Sequence, residues 1–488
     1  MHETPMKAYL ATDAASAFKV SEAARTHPDA TALIAPEGVF TFRTLDERVR
    51  GRIRELDGRL PEPGRPFLID ARRDLDTLLT VYALLELEVP FVLLHPKLTA
   101  WERRELVALI DSIREPLPEG AQAVLFTSGT TGLPKPAVLS REALFASAHS
   151  NAKNLSLVPG DVWLLPMSVA RVGGLSIITR SLMARSAVAL AGRFTAEGFV
   201  EDMERTGATL VSVVPTMLSK VLHEIPSWRA PKTLRALLLG GSSAGDRLLA
   251  LARSRGVPVM TTYGMTETAS NVVTTPYAER LGFTTGSGAV NADTEVKVLE
   301  GTIHVRGPML MEGYWGREPI DKKAWFRTGD IGYFDDFGHL VVQARRSDLI
   351  ITGGDNVYPA EVENVLEGIA GVREARVIGL PDEEWGAVVT ALLVPEKDPV
   401  DLDVLMAAMY ERLSSYKLPR RLAWVRELPV LANGKPSRDP KALEGLDMTT
   451  LHWSAWKKEG AGEEGMAAAN RTAAHAASTA AAPTPAGD

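Results

Sequence analysis

The stretch from Thr127 to Lys135 carries the residue types that a phosphate-binding loop needs. Its first six residues hold four hydroxyl side chains and two glycines, and a proline and a lysine close it. Glycines let a backbone approach a ligand closely, while successive N–H groups, hydroxyls and one cation can surround phosphate oxygens. A polar surface loop has the same composition. The spacing is not that of a Walker loop, because Lys135 follows Gly132 by three residues and precedes Pro136.

The elements around this loop follow a repeating pattern. Short apolar strands alternate with amphipathic helices from residue 66 to 94 and again from 186 to 262. This alternation predicts an α/β fold with parallel-type βα layers. Ligands of such sheets bind outside the carboxyl ends of the strands. We therefore expect three polar or glycine-rich segments that follow strands to meet at one sheet edge: 127–135, 240–243 and 263–268.

The pattern changes in the last third of the chain. From about Thr284, short strands between Gly and Asp turns predict a β subdomain. A charged break at 344–348 precedes about 100 residues of α+β character. The sequence thus predicts an N-terminal domain over 1–346 and a small mobile α+β domain over 347–457. Residues 458–488 are rich in Ala, Gly, Thr and Pro and predict a disordered tail.

Composition narrows the class of protein. Sixty-one acidic against 54 basic residues give a net charge of −7, so no attraction to nucleic acid or to an anionic membrane is expected. There is no cysteine, which excludes disulfides, thiolate metal sites and cysteine nucleophiles. Neither a signal peptide nor a membrane span is visible in the sequence. We expect a cytoplasmic protein; the sequence leaves a homo-oligomer open.

Five segments in order resemble the adenylate-forming superfamily of acyl-CoA synthetases, peptide-synthetase adenylation domains and luciferases. They are Ser128–Lys135, Tyr263–Thr268, Arg327–Asp330, Arg345–Glu363 and Asn433–Lys435. Three shorter stretches, at 173–182, 215–218 and 344–350, look like the 2-succinylbenzoate–CoA ligases of menaquinone biosynthesis. The resemblance implies ATP, Mg²⁺ and CoA: a carboxylate attacks the α-phosphate of ATP, and CoA then attacks the acyl-adenylate and releases AMP.

The resemblance also implies which residues handle the nucleotide. Lys135, Glu267, Arg345 and Lys435 are the implied catalytic residues, with Glu267 as the Mg²⁺ ligand and Lys435 between the attacking carboxylate and the α-phosphate. Asp330 would accept hydrogen bonds from the ribose hydroxyls, and Gly353 and Gly354 would line the CoA tunnel. Gly240, Gly241 and Ser242 would form one wall of the adenine slot, and Tyr263 the other. The remaining nucleotide contacts are Thr127, Ser128, Gly129, Thr130, Thr131, Gly132, Gly264, Met265 and Thr266.

Each of these roles has a plain structural alternative. Glu267 alone is a solvated loop carboxylate, and Asp330 a turn residue after Gly329. Plain core packing is the alternative for Tyr263. Arg345 and Lys435 are, from composition alone, a solvated charge and an exposed turn residue.

The acid-binding residues follow from the resemblance less directly. Arg171, Gly174 and Arg180 are the candidates, and the two arginines could pair with a second carboxylate of a dicarboxylic aromatic acid. Arg180 on an exposed helix surface is the alternative. Arg171 stands where the 2-succinylbenzoate branch usually has histidine, so the identity of the acid stays open. Another aryl- or fatty-acyl-CoA synthetase, a carrier-loading adenylation enzyme and a non-catalytic nucleotide-binding relative are the competing interpretations.

Overall fold

The chain forms two compact units. The computed structural model describes residues 13–127, 134–241, 244, 246–282, 286–344, 349–428, 440–443 and 445–453. The larger unit contains the described residues up to 96, from 112 to 127 and from 135 to 344, and the smaller contains 97–111, Pro134 and the described residues from 349 onward. The sequence-based division assigned 97–111 to the first domain, and that division stays a prediction.

Several predicted features lie outside the described residues. They are the loop residues 128–132, Ser242, Arg345, Lys435 and the tail at 458–488.

The strands are short, and most are buried. In chain order they are β1 Thr31–Ala35, β2 Gly38–Thr41, β3 Phe67–Asp70, β4 Phe91–Leu94, β5 Ala121–Thr127, β6 Lys135–Ser140, β7 Val162–Leu165, β8 Ala187–Leu190, β9 Leu210–Val213, β10 Ala236–Leu239, β11 Val259–Met265, β12 Ser270–Thr274, β13 Ala289–Val290, β14 Glu295–Leu299, β15 Thr302–Arg306, β16 Gly313–Tyr314, β17 Phe326–Phe334, β18 Leu340–Ala344, β19 Ile350–Thr352, β20 Asp355–Val357, β21 Val372–Asp382, β22 Gly386–Pro395, β23 Arg421–Trp424 and β24 Thr449–Thr450.

Several helices begin where the sequence supplies a capping residue. In chain order they are α1 Ala14–Ala17, α2 Val20–Thr26, α3 Phe42–Leu56, α4 Leu75–Glu86, α5 Ala100–Ser112, α6 Arg141–Leu155, α7 Val172–Met183, α8 Ala196–Thr206, α9 Pro215–Glu224, α10 Asp246–Ser254, α11 Pro359–Glu367 and α12 Leu402–Arg412. The side chain of Asp74 accepts from the Thr77 N–H at the start of α4, and α9 begins at a proline.

Three sheets build the larger unit. The first has nine strands in the order β13-β12-β11-β10-β9-β7-β8-β1-β2, with β8, β7, β9, β10 and β11 parallel. The second has the order β16-β6-β5-β4-β3, and the third is the antiparallel set β14-β15-β17-β18. The predicted α/β class with a β subdomain is confirmed.

The expectation of one shared sheet edge is wrong. Strand β5, which leads into the loop at 127, belongs to the five-stranded sheet, whereas β10 and β11 belong to the nine-stranded sheet. The strands have similar length and apolarity, and sheet membership depends on hydrogen-bond partners that lie far away in sequence. The sequence pattern therefore predicted the strands but not their grouping.

The main core joins the first two sheets. Apolar side chains of β4, β5, β7 and β8 cluster with those of α4, α6 and α7. Every residue of α7 from Gly174 to Met183 is buried, so this helix has no solvent face along most of its length. A helix in this position buries polar side chains as well as apolar ones, and each buried polar group then needs a partner.

The smaller unit has its own sheet and core. Its sheet follows β20-β19-β22-β23-β24, and β21 pairs with β22 as a hairpin. Buried residues of α11, α12, β21 and β22 form its apolar cluster, against which Trp101 of α5 packs. Among the described residues, no helix has both the length and the apolar character needed to cross a membrane.

Candidate active site

A strained turn between β11 and β12 positions Glu267. Residues Thr266–Thr268 form one 3₁₀ turn, and the two residues after it have positive φ values, 49° at Ala269 and 115° at Ser270. Such backbone is costly for residues other than glycine and occurs where the surroundings hold it in place. Two hydroxyls do so here: Thr268 Oγ1 donates to the Ser270 carbonyl and Ser147 Oγ to the Ala269 carbonyl, both at 2.7 Å.

Gly264 permits the close pairing of β11 and β12 beside this turn. A Cβ at this position would lie 2.1 Å from the Ser270 carbonyl oxygen and 2.4 Å from the Asn271 Cα. Residues Tyr263, Gly264 and Met265 are the last residues of β11, whereas the sequence placed the whole stretch from 263 to 268 in a loop. The hydrogen bonds to β12, which reverses direction after the turn, extend the strand.

Glu267 is buried and paired with a tyrosine. It is 3% exposed, and its Oε1 accepts a hydrogen bond of 2.7 Å from the Tyr314 hydroxyl. Its backbone carbonyl accepts from Met311 N at 2.9 Å. The alternative of a solvated loop carboxylate is therefore wrong. The Lys135 Nζ lies 5.4 Å from the centroid of the same Tyr314 ring, so Tyr314 brings the candidate cation and the candidate metal ligand together.

Asp330 and Tyr263, predicted for the ribose and the adenine, contact each other. The Tyr263 hydroxyl donates to Asp330 Oδ2 at 2.7 Å, and both residues are 4% exposed. Asp330 lies within β17, so the alternative of a turn residue is wrong. Its N–H donates to Thr328 Oγ1 at 3.0 Å, and Thr328 Oγ1 donates to the Ile303 carbonyl at 2.8 Å. This carboxylate has a fixed position in the sheet.

Gly240 and Gly241 follow β10 in a narrow space. A Cβ on Gly240 would lie 2.3 Å from Thr262 Oγ1. Gly241 has a φ of 85°, in the left-handed region that favours glycine. Backbone rather than side chain is thus presented at the end of β10, which fits the predicted flat wall for a nucleotide base.

The start of α7 carries two of the three candidate acid-binding residues. Arg171 is the half-buried N-cap residue of α7. At Gly174 a Cβ would lie 2.2 Å from the Ser168 carbonyl oxygen. Any side chain at position 174 would therefore push the first turn of α7 away from the segment before it.

Arg180 lies deep in the larger unit. It is 2% exposed, so the alternative of an exposed helix surface is wrong. Its Nη2 donates to Asn271 Oδ1 at 2.6 Å, and its guanidinium carbon lies 5.7 Å from the Trp163 ring centroid. Burial lowers the pKa of Arg180 to about 9. No ion pair joins Arg180 to any carboxylate among the described residues.

The glycines predicted for the CoA tunnel form the β19–β20 turn of the smaller unit. Gly353 and Gly354 have φ values of 56° and 80°. The Gly353 N–H donates to the Trp385 carbonyl at 3.0 Å, and a Cβ on Gly353 would lie 3.1 Å from the Trp385 ring. The Arg420 guanidinium stacks 3.6 Å from the centroid of that ring. Trp385 thereby fixes the glycine turn by packing.

The donor set around Glu267 fits a magnesium ion shared with phosphates. The described residues contain no group of three or more His, Cys, Asp or Glu that could hold a metal by themselves. Glu267 is a single buried carboxylate, and one of its oxygens accepts a hydrogen bond from a tyrosine hydroxyl. Most ligands of a magnesium ion at this position would therefore come from outside the protein. Mg²⁺ is typically held in this way, by one or two carboxylates with substrate phosphates and water.

Sequence reasoning missed three residues at these positions. Tyr314, Thr328 and Asn271 hold Glu267, Asp330 and Arg180 in place. Thr328 lies two residues before Asp330 and could have been found as a local hydrogen-bond partner. No local signal points to Tyr314 or to Asn271, because each meets its partner through strand pairing and packing.

Comparison with known proteins identifies the class. Residues 110–315 match the family described as AMP-binding enzyme, and residues 361–435 match the AMP-binding enzyme C-terminal domain. The chain belongs to this family, which confirms the resemblance drawn from the motifs.

Within the family the similarity extends over almost the whole length of particular relatives. A 2-succinylbenzoate–CoA ligase of Listeria monocytogenes serotype 4b (strain F2365) is 33% identical over 458 residues, which is 85% of this chain and 96% of that protein. A double mutant of o-succinylbenzoate CoA synthetase from Bacillus subtilis, bound with its product analogue, has a TM-score of 0.80 at 31% identity and covers 89% and 99% of the two chains. The same synthetase in complex with ATP and magnesium ion has a TM-score of 0.60 at 31% identity, over 86% and 98%.

Proposed function

We propose that this protein is an ATP-dependent CoA ligase for 2-succinylbenzoate. It forms the acyl-adenylate and pyrophosphate from the acid and ATP, and then the CoA thioester and AMP. Similarity over 96% of a 2-succinylbenzoate–CoA ligase supports the reaction class and the acid. The observation that carries the choice of acid is Arg180, a buried guanidinium without a carboxylate partner among the described residues.

Adenylation brings a carboxylate against a polyanion, so the chain must supply positive charge and hydrogen-bond donors. Lys135 lies over the ring of Tyr314, whose hydroxyl donates to Glu267, and this supports a role for Lys135 at the phosphates. Glu267 would hold Mg²⁺, which offsets phosphate charge when bound. The Thr127–Gly132 cradle, Arg345 and Lys435 keep their implied roles as part of this proposal.

Residues whose positions are fixed by the surrounding structure would orient the nucleotide. Asp330 is held by Tyr263 and Thr328, so its carboxylate would accept the ribose hydroxyls without rearrangement. Gly240 and Gly241 present backbone to the base. For the second half-reaction, Gly353 and Gly354 would line the path of the CoA arm, because no side chain projects from them.

The acid is oriented at the other end of the site by its second carboxylate. A guanidinium presents five N–H donors in a planar fork that matches a carboxylate. Arg180 would bind the second carboxylate, with Arg171 and Gly174 at the start of the same helix. An acid with one carboxylate would leave that buried cation unpaired and would be disfavoured. Cytoplasmic location and homo-oligomerisation remain predictions.

A panel of acids tests the proposal. Pyrophosphate release is measured with 2-succinylbenzoate, 4-oxo-4-phenylbutanoate, 2-butanoylbenzoate, benzoate and hexanoate, with and without CoA, and the thioester is identified by mass. We expect kcat/KM for 2-succinylbenzoate to exceed that of each monocarboxylic acid by about 100-fold, with CoA-dependent AMP formation.

The two keto acids serve as matched controls, because each lacks one of the two carboxylates and keeps the ring and the ketone. Glu267→Gln reports on the nucleotide site and should lower the rate with every acid of the panel alike. Preference for a monocarboxylic aryl or fatty acid would exclude 2-succinylbenzoate as the substrate and would leave the CoA ligase class intact.

A further inference from the structure

The guanidinium of Arg180 is held by a neutral group. Of its five N–H donors, one has a partner among the described residues, the Asn271 side-chain oxygen at 2.6 Å. The Nε is buried without a hydrogen bond. A buried charge normally has an ion-pair partner, because desolvation of an unpaired ion is costly. Arg180 is thus fixed in position, and no carboxylate among the described residues compensates its charge.

The hydrogen bonds of Asn271 fix the orientation of its side-chain amide. Its Oδ1 accepts from Arg180 and from Ser270 Oγ at 3.2 Å. Its Nδ2 donates to Asn151 Oδ1 at 2.5 Å and to Thr274 Oγ1 at 2.6 Å. All four hydrogen-bonding positions of the amide are used. A flipped amide would direct its NH₂ group at the guanidinium and at Ser270, so the network selects the orientation in which oxygen faces Arg180.

The same residue is joined to the turn that carries Glu267. Asn271 follows Ser270, the residue with a φ of 115°. Its backbone carbonyl accepts from the side chains of Asn151 at 3.3 Å and Asn291 at 3.2 Å. The amide network therefore ties the position of Arg180 to the Glu267 turn, so that one set of contacts holds both the nucleotide end and the acid end of the site.

We propose that Asn271 is a positioning residue that sets the preference for a dicarboxylic acid, because it orients the Arg180 guanidinium without neutralising it. Aspartate has the same size and would accept the same hydrogen bonds, but it would form a buried ion pair with Arg180. The guanidinium charge would then be neutralised within the protein, and the second carboxylate of the acid would face an ion pair with no net charge. This inference rests on the proposed function, which makes Arg180 the partner of that carboxylate.

The test compares Asn271→Asp with Gln122→Glu. Both residues are buried, at 7% and 1% exposure, and each side-chain oxygen accepts a hydrogen bond from a buried arginine, Arg180 or Arg141. Both changes replace an amide by an isosteric carboxyl group, and Gln122 lies on β5 in the five-stranded sheet, outside the hydrogen bonds of Asn271. The readout is the ratio of kcat/KM for 2-succinylbenzoate to that for 4-oxo-4-phenylbutanoate or 2-butanoylbenzoate, whichever the unmodified protein uses better.

We expect Asn271→Asp to lower this ratio at least about tenfold, mainly through a higher KM for 2-succinylbenzoate. Gln122→Glu should keep the ratio within about twofold of the unmodified protein. A merely structural role for Asn271 would lower the rates with both acids together and leave the ratio unchanged, which would overturn the inference.

Two further measurements keep the outcomes distinct. Circular dichroism and thermal unfolding establish that each variant folds. If Asn271→Asp does not fold, Asn271→Leu decides: it removes the acceptor without adding charge, and an unchanged ratio in that variant would overturn the inference. A preference of the unmodified protein for monocarboxylic acids would overturn the proposed function and this inference together, whereas an unchanged ratio in Asn271→Asp would overturn this inference alone.

Discussion

Two buried cations, one in each unit, are treated in opposite ways. In the smaller unit, Lys417 is 6% exposed and its Nζ donates to Glu102 Oε1 at 2.9 Å and to Glu361 Oε1 at 2.5 Å. In the larger unit, Arg180 is 2% exposed and meets a neutral amide. Burial disfavours both charges, but the carboxylates outweigh it at Lys417 and raise its pKa, whereas burial alone lowers the pKa of Arg180.

This difference distinguishes a structural ion cluster around Lys417 from the charge of Arg180, which a ligand can still pair with. Lys417 joins α5, through Glu102, to α11, through Glu361, and the Ser414 N–H and hydroxyl also donate to Glu102. Every charge in that cluster has a partner, so it holds elements together. Arg180 contacts the Asn271 amide oxygen and the Trp163 ring, but it pairs with no carboxylate among the described residues. Groups with perturbed pKa values and missing partners concentrate where ligands bind.

Removal of each cation should therefore have opposite effects on stability. Lys417→Met leaves two carboxylates close together and without their cation, and we expect it to destabilise the smaller unit by about 3–5 kcal/mol. Arg180→Met removes an unpaired buried charge and should leave the thermal midpoint unchanged or raised. Differential scanning calorimetry measures both changes, and hydrogen exchange at α11 and α12 reports on the smaller unit and at α7 on the larger.

A double variant controls the first of these changes. Lys417→Met with Glu102→Gln removes one of the two carboxylates and should recover part of the loss. If Lys417→Met and Arg180→Met destabilised the protein equally, the proposed difference between the two cations would be wrong.

Substitution of Arg180 should lower catalytic activity although it does not lower stability. Arg180→Met deletes the proposed partner of the second carboxylate, and a charge-assisted hydrogen bond of about 1.5–3 kcal/mol corresponds to a loss of about 10- to 100-fold in kcat/KM for 2-succinylbenzoate. Arg180→Lys keeps the charge but not the planar fork and should lose less. Steady-state kinetics of pyrophosphate release measures the series. An Arg180→Met variant as active with 2-succinylbenzoate as the unmodified protein would show that Arg180 is a structural residue.

The smallest expected effect is a pH dependence confined to the smaller unit. Burial acts to raise the pKa of Glu102, but the charge of Lys417 and hydrogen bonds from Ser414 and Thr99 outweigh it and hold that pKa below the ordinary 4.5. A carboxyl group whose pKa is lowered by folding stabilises the fold above the unfolded value and loses that contribution as the pH falls through the folded value.

Unfolding of the smaller unit should therefore become easier below about pH 4.5. Glu102→Gln should flatten this acid limb, and Arg180→Met should not change it, since no carboxylate among the described residues pairs with Arg180. Thermal midpoints between pH 3 and pH 7 provide the measurement. An acid limb that Glu102→Gln leaves intact would assign the loss of stability to other carboxylates.

Local sequence determined a large part of this protein. The order of strands and helices, their caps, the glycines at 240 and 264 and the family all follow from short stretches, because turn chemistry and periodicity act between near neighbours. The candidates Glu267, Asp330 and Arg180 came from the resemblance of short motifs to the family.

Tertiary structure alone decided how those residues are held. In the tertiary structure β5 lies in a different sheet from β10 and β11, and Arg180 of α7 is buried. Tyr314 and Asn271, from distant parts of the chain, become the partners of Glu267 and Arg180. Whether a charge is paired depends on groups that are close in space and far apart in sequence. Composition therefore could not distinguish Lys417 from Arg180, although one is compensated and the other is not.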